Sequence, residues 1–312
     1  MGRILCIIDG MTDPKFCAER YPNLASMNLS RYVDTTQGHE AESLGCILRL
    51  LGATDVPRYL RGYAEALGCG LPIGKNDMVL RGSWYALDEQ GCCTVPIPGP
   101  KDPICADAYR YYALEDYKSL VVFPQMAGSI HNLITYPPYE CVGKPAIQLC
   151  PHGCEEVRDM FMEHLQERSC LLLWGQSVPS DLPPFSEKAA VVCGTTIVKG
   201  IAKLLGMTLL DVAGATGDTD TNLSGKAVAA LASAEKYPFV LLHINGTDEA
   251  SHRGSADEKD AFLKKVDRDV LSPLLRSEHE VIVVSDHGTD PDSGRHIPAK
   301  QPVFINRVKN FN

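Results

Sequence analysis

The sequence predicts an α/β fold: a mostly parallel sheet with helices on both faces, interrupted by a small inserted α+β domain. Three observations carry this. Short continuous apolar runs rich in β-branched residues recur at 4–8, 189–193, 240–244 and 281–285. Segments with helical spacing of apolar residues separate most of them, which is the rhythm of a parallel sheet buried on both faces. Between about residues 71 and 167 the chain instead becomes rich in Pro, Tyr, Gly and Cys, with short alternating runs among turn signals.

Taken in order, residues 4–8 read as a buried strand that stops at Asp9-Gly10. Residues 43–51 read as a helix, with Leu44, Ile47, Leu48 and Leu51 on one face and Gly52 ending it. Residues 77–87 and 92–97 alternate like strands about a turn at 88–91, so a hairpin is expected. Further short strands are expected at 119–123, 131–134 and 146–149. From residue 170 the α/β pattern resumes, with strands at 170–174, 189–193, 240–244 and 281–285 and helices at 195–205, 222–234 and 257–275. The expected organisation is a core of residues 1–70 and 168–312, with 71–167 inserted.

The formal charge of −9 argues against a general nucleic-acid binder, which needs a basic face. A small anionic substrate remains compatible, because a local cluster of cations outweighs a mean charge. No apolar run reaches the ~18 residues of a membrane span. The opening MGRILCIIDG runs from a short apolar stretch into an acid, unlike a signal peptide. Twelve cysteines in such a chain suggest free thiols and a cytoplasmic location. Cys150-Pro-His-Gly-Cys154, with Cys141 upstream, lacks the common zinc-knot spacing and reads as loop cysteines. Oligomeric state has no signature in the sequence.

Three strands in this reading run into acids. Asp9 follows the first, Asn245-Gly-Thr-Asp248-Glu-Ala-Ser-His252 follows the run at 240–244, and Asp286-His287 follows the run at 281–285. Ligands gather at the carboxyl ends of strands in open parallel sheets, so the three clusters are expected to converge. Asp248 and His252 fall on one face of a helical turn, and His296 can complete that site; Asp9, Asp286 and His287 can form a second. Mixed carboxylate and imidazole donors suit Mn, Zn, Fe or Mg. Two such ions form a clamp for in-line displacement at phosphorus. Ser43 opens a helix after a polar loop, where backbone N–H groups favour phosphate oxygens, and a nearby metal would turn its hydroxyl into a phosphoryl acceptor.

Together these residues resemble the alkaline phosphatase superfamily and, within it, the archaeal-type cofactor-independent phosphoglycerate mutases and related bacterial proteins. The resemblance rests on IIDGMTD near the start, RGYAEALGCG at 61–70, KNDMVLRGSW at 75–84 and LLLWGQ at 171–176. IVKGIAKLLGM at 197–207, VAGATGDTDTNLSGKA at 212–227, DEASH and SDHG complete it in order. It implies an alkaline-phosphatase-like core with an inserted cap and two divalent metal ions (Mn, Zn or Mg). Asp248, His252 and His296 would hold one, and Asp9, Ser43, Asp286 and His287 the other. Ser43 would take the phosphoryl group from a small phosphorylated metabolite, a phosphoglycerate, and return it to the neighbouring hydroxyl. The resemblance also points to Lys199 as a phosphate contact and to Arg61, Arg81 and His131 as substrate contacts. Two departures stand out. Family members carry a Ser-Asp-Thr-Ala-His-like stretch where this chain has Ser43-Leu-Gly-Cys-Ile47, and the inserted segment is short. These keep two other readings open: a phosphatase or phosphotransferase acting on another small phosphorylated metabolite, and a metal-binding homologue that has lost catalysis.

Overall fold

The computed structural model describes residues 2–138 and 141–306. Two compact units divide the chain, the first formed by residues 1–56 and 182–312 and the second by 57–181. The chain starts in the first unit with β1 (Arg3–Ile8), β2 (Gly10–Thr12), α1 (Pro22–Ala25), β3 (Asn28–Val33) and α2 (Ser43–Leu50). The second unit holds α3 (Arg61–Cys69), β4 (Met78–Leu87), β5 (Cys93–Pro96), β6 (Ile104–Cys105), β7 (Arg110–Ala113), β8 (Lys118–Phe123), α4 (Glu155–Glu163) and β9 (Ser169–Ser177). The chain returns through β10 (Ala189–Val192), α5 (Thr196–Leu204), β11 (Thr208–Leu210), α6 (Leu223–Ala234) and β12 (Phe239–Ile244). It ends with α7 (Gly246–His252), α8 (Ala256–Val266), α9 (Ser272–Leu275), β13 (Glu280–Val284), β14 (Gly288–Asp290), β15 (Arg295–Ile297) and β16 (Gln301–Ile305).

The first unit is built on a seven-stranded sheet of order β11-β10-β12-β1-β13-β16-β3. Its first five strands are parallel, and β16 and β3 join antiparallel at one side. The alternation of each strand sets the core. Ile4, Cys6 and Ile8 of β1 share one cluster with Val240, Leu242 and Ile244 of β12 and Val281 and Val283 of β13. Leu223, Ala227 and Ala230 of α6 and Phe262, Leu263 and Val266 of α8 cover that face. Burying such side chains contributes about 1.5–3 kcal/mol for each large aliphatic or aromatic residue. Leu5, Ile7 and Leu241 are buried as well, so the sheet is covered on both faces and its strands read as continuous apolar runs.

The second unit has an antiparallel sheet of order β5-β4-β8-β7-β6, with β9 also paired to β4. The expected hairpin is there, with Leu87 opposite Cys93. Three expectations need correction. The run at 170–174 does not enter the parallel sheet: β9 is antiparallel to β4, with Cys170 opposite Tyr85 and Trp174 opposite Arg81. A buried apolar run reads alike in either kind of sheet, and only tertiary pairing decides which sheet it joins. The strand expected at 131–134 is instead a 3-10 turn, Ala127–His131, followed by an isolated bridge between Ile134 and His152. Pro137 and Pro138 follow that bridge and offer no N–H to extend a ladder. The strand expected at 146–149 is likewise a 3-10 turn, started by Pro145. Cys141, Cys150 and Cys154 are buried in the apolar core of this unit, and among the described residues they form no metal-ligating group. No helix among the described residues is long and apolar enough to cross a membrane.

Candidate active site

The centre of the sheet positions the acids. β1 lies between β12 and β13, so the carboxyl ends of these three strands sit side by side. Asp9 follows β1, Asp286 and His287 follow β13, and α7 follows β12 carrying Asp248 and His252. Gly10 makes the approach close. Its φ is +64°, and a Cβ there would lie 2.9 Å from the Cα of Asp248 and 2.7 Å from Thr289 Oγ1, so only glycine fits.

An inner cluster forms around His287. Its Nε2 lies 3.1 Å from Ser43 Oγ, 3.4 Å from Asp9 Oδ1 and 3.4 Å from Asp286 Oδ2. Asp9, Asp286 and His287 are 0–1% exposed. Burial, and then the charges of Asp286 and Asp248, hold the Asp9 carboxyl well above the usual carboxylate range. An outer cluster forms around Asp248. Its Oδ2 is 3.3 Å from His252 Nε2, its Oδ1 is 3.6 Å from His296 Nε2, and Thr289 Oγ1 donates to Oδ1 at 2.6 Å. Burial opposes a charge here, but Asp248 outweighs it and pushes His252 up to about 9. Burial and the neighbouring His287 push His296 down to about 4. The His287 and His296 rings stack at 3.9 Å, which links the two clusters.

The donor set fits divalent cations on two observations. Asp9 Oδ1 and both carboxylate oxygens of Asp286 are buried without a hydrogen-bond partner among the described residues. Buried carboxylate oxygens in that state are costly unless a cation satisfies them. In the outer cluster, His252 Nδ1 faces the Gly294 carbonyl at 2.9 Å and His296 Nδ1 faces the Ala41 carbonyl at 2.5 Å. A carbonyl only accepts, so both Nδ1 atoms carry the proton. The two Nε2 atoms meet at 3.0 Å beside Asp248, and the raised His252 holds a proton there that His296 Nε2 accepts. Three ligand atoms thus converge on one point, where a cation can take the place of that proton. Asp248, His252 and His296 form one group of mutually close ligand atoms, and Asp9, Asp248 and His287 another.

Ser43 is the first residue of α2, whose N-cap is Glu42, and its hydroxyl turns to His287. A hydroxyl at a helix start beside a cluster of metal-type ligands can act as a nucleophile, and the N–H groups there can hold phosphate oxygens.

The chain is similar to several known proteins. A family profile described as Metalloenzyme superfamily matches residues 170–309. A 2,3-bisphosphoglycerate-independent phosphoglycerate mutase of Saccharolobus islandicus is 35% identical over 305 residues, which span 81% of this chain and 74% of that protein. This chain belongs to the 2,3-bisphosphoglycerate-independent phosphoglycerate mutase family. Such a mutase from Methanothermobacter thermautotrophicus is 28% identical over 98% of the chain and 88% of its own length. The solved structure of PH0037 protein from Pyrococcus horikoshii shares the fold, with a TM-score of 0.72 at 21% identity over 99% of this chain and 89% of that one. The family is one of enzymes, and the superfamily match together with the donor set implies divalent metal ions.

The remaining candidates of this mutase-family chain fall in different places. Lys199 stands half-buried in the first turn of α5, a helix that packs against α2. Arg61 and Arg81 come together in the second unit. Both pair with the buried Glu65, Arg61 Nε at 3.2 Å from Oε1 and Arg81 through NH1 to Oε2. The Arg61 guanidinium also lies 4.9 Å above the Trp174 ring. His131 is exposed and meets Tyr59 edge-on at 5.8 Å rather than joining the arginines.

Sequence reasoning missed several supporting residues. Thr289 holds Asp248, and Lys259, buried beneath the site, donates to the Thr289 carbonyl at 2.7 Å and pairs with Asp13 at 2.9 Å. His243 contacts Asp9 Oδ2 at 3.2 Å. Burial, and then Lys226, push His243 down to about 3, so its ring is neutral. The signal available for His243 was a single histidine inside the apolar run FVLLHI.

Proposed function

We propose that this protein interconverts 2- and 3-phosphoglycerate through a phosphoserine at Ser43. The observation that carries the reading is the Ser43 hydroxyl 3.1 Å from His287 Nε2, at a helix start beside buried carboxylate oxygens of Asp9 and Asp286 that have no hydrogen-bond partner among the described residues. We assign two divalent ions of the Mn, Zn or Mg type, one to Asp248, His252 and His296, the other to Asp9, Ser43, Asp286 and His287. When bound, such ions supply charge neutralisation for phosphoryl transfer and lower the pKa of the Ser43 hydroxyl. Ser43 Oγ then gives up its proton and forms a bond to phosphorus as the bond from phosphorus to the glycerate oxygen breaks, and that oxygen takes up a proton. The neighbouring glycerate hydroxyl gives up its proton as it attacks phosphorus, the Oγ–phosphorus bond breaks and Ser43 Oγ regains a proton, so the phosphoryl group returns one carbon away and no water is consumed. The first-turn N–H groups of α2 and Lys199 stabilise the phosphoryl oxygens. Arg61 and Arg81 supply positive charge for the substrate carboxylate, with His131 as a further contact. The twelve free cysteines support a cytoplasmic location.

The test is conversion of 3-phosphoglycerate into 2-phosphoglycerate, with inorganic phosphate measured alongside. Ser43→Ala is expected to lower mutase turnover by at least about 10⁴-fold while most of the bound metal stays. Unchanged turnover in that variant refutes the phosphoserine route, and release of phosphate alone assigns the protein to phosphatases instead.

A further inference from the structure

β12 carries one polar side chain, His243, in an otherwise apolar run whose six residues are all buried. His243 stands opposite Ile7 in the parallel register with β1. Its side chain therefore shares a sheet face with Ile7 and, one alternation further, with Asp9. Its Nε2 lies 3.2 Å from Asp9 Oδ2, while its Nδ1 is buried with no hydrogen-bond partner among the described residues. For packing alone this is a poor choice. A buried nitrogen without a partner is costly, and Leu or Phe would avoid that cost. What the histidine gains is the single bond to Asp9. As a metal ligand Asp9 would be ionised and would only accept, so Nε2–H would donate.

The rest of Asp9 is fixed as firmly. Its N–H donates to the Ile244 carbonyl at 2.9 Å, and its own carbonyl accepts from the Thr247 hydroxyl. With Oδ2 tied to His243, Oδ1 is the oxygen without a hydrogen-bond partner, and it faces His287 Nε2 at 3.4 Å. We propose that His243 is a positioning residue for the inner cation: it holds back Asp9 Oδ2 and presents Oδ1 as the ligand atom. This rests on Asp9 being a metal ligand.

The experiment titrates metal-free full-length protein with Mn²⁺, following free ion by its electron spin resonance signal, with the melting temperature of the metal-free form as a control. His243→Phe keeps the bulk and removes the donor. It is expected to weaken one of two Mn²⁺ sites by about 10–100-fold. The other site and the metal-free melting temperature should not fall. His243→Gln, whose amide reaches Asp9, should recover most of the affinity, and the shorter His243→Asn should not. Asp9→Ala serves as the reference for losing that site. Wild-type Mn²⁺ binding by His243→Phe, while Asp9→Ala loses a site, overturns the proposal alone. Wild-type binding by both overturns the ligand role of Asp9 and the proposal with it. Should His243→Phe fail to fold, the two amide variants decide: equal wild-type affinity in both overturns the proposal.

Discussion

The inner and outer clusters use the same kinds of side chain in opposite surroundings. Asp9, Asp286 and His287 are 0–1% exposed and project from the ends of central strands. His252 and His296 are 40% and 27% exposed and come from the seven-residue α7 and the short β15. The inner carboxylates have unpaired oxygens, whereas each outer histidine is oriented by a backbone carbonyl. The difference teaches that the inner site is preorganised by the sheet and destabilised by its own charge, while the outer site is held by loop contacts that water can replace. Rigid strand ends are the better place for a group that must not move; a short helix and hairpin tolerate exchange.

The sharpest way to break this comparison is Asp286→Asn. It removes one of the buried like charges and leaves the volume unchanged. Turnover is expected to fall on the order of 10³-fold or more. The metal-free protein should gain about 1–3 kcal/mol of stability, read by urea unfolding with chelator present. A loss of stability in metal-free protein would show that the inner carboxylates do not repel one another. His296→Gln should do less. The outer ion is expected to bind about 10–100-fold more weakly, with turnover recovered at high metal concentration. Failure of excess metal to restore turnover would make the outer site as unforgiving as the inner one.

The smallest effect is in pH. In metal-free protein, Asp248 raises His252 to about 9 against the opposing effect of burial. A raised pKa means stability that is fully present below the unfolded value of about 6.5 and lost as pH rises through 9. Metal replaces that proton, so loaded protein should lack this pH dependence between those limits, and the outer ion should bind more tightly as pH rises through the window. Melting temperatures across pH 6–9.5, with and without chelator, read both; identical slopes would remove the proton–metal competition.

Much of this was legible before any coordinates. The strand at residues 4–8, the helix from Ser43 and the turn carrying Asp248 and His252 follow from periodicity and from where apolar runs stop, which are local properties. β9 was not legible in the same way, because its apolar run gives no sign of choosing an antiparallel partner, β4, in the second unit. Arg61 and Arg81 could be named, but not their shared Glu65, since that pairing joins a helix to a strand.

By itself the sequence determined which strands are buried, where polar groups interrupt them, and hence which residues are able to bind metal. Only the tertiary structure decided which of those residues meet. The order β12-β1-β13 brings together residues from opposite ends of the chain, and the register of β1 with β12 sets His243 against Asp9. Strand order and register are chosen by packing across the whole sheet, and no short stretch of chain encodes them.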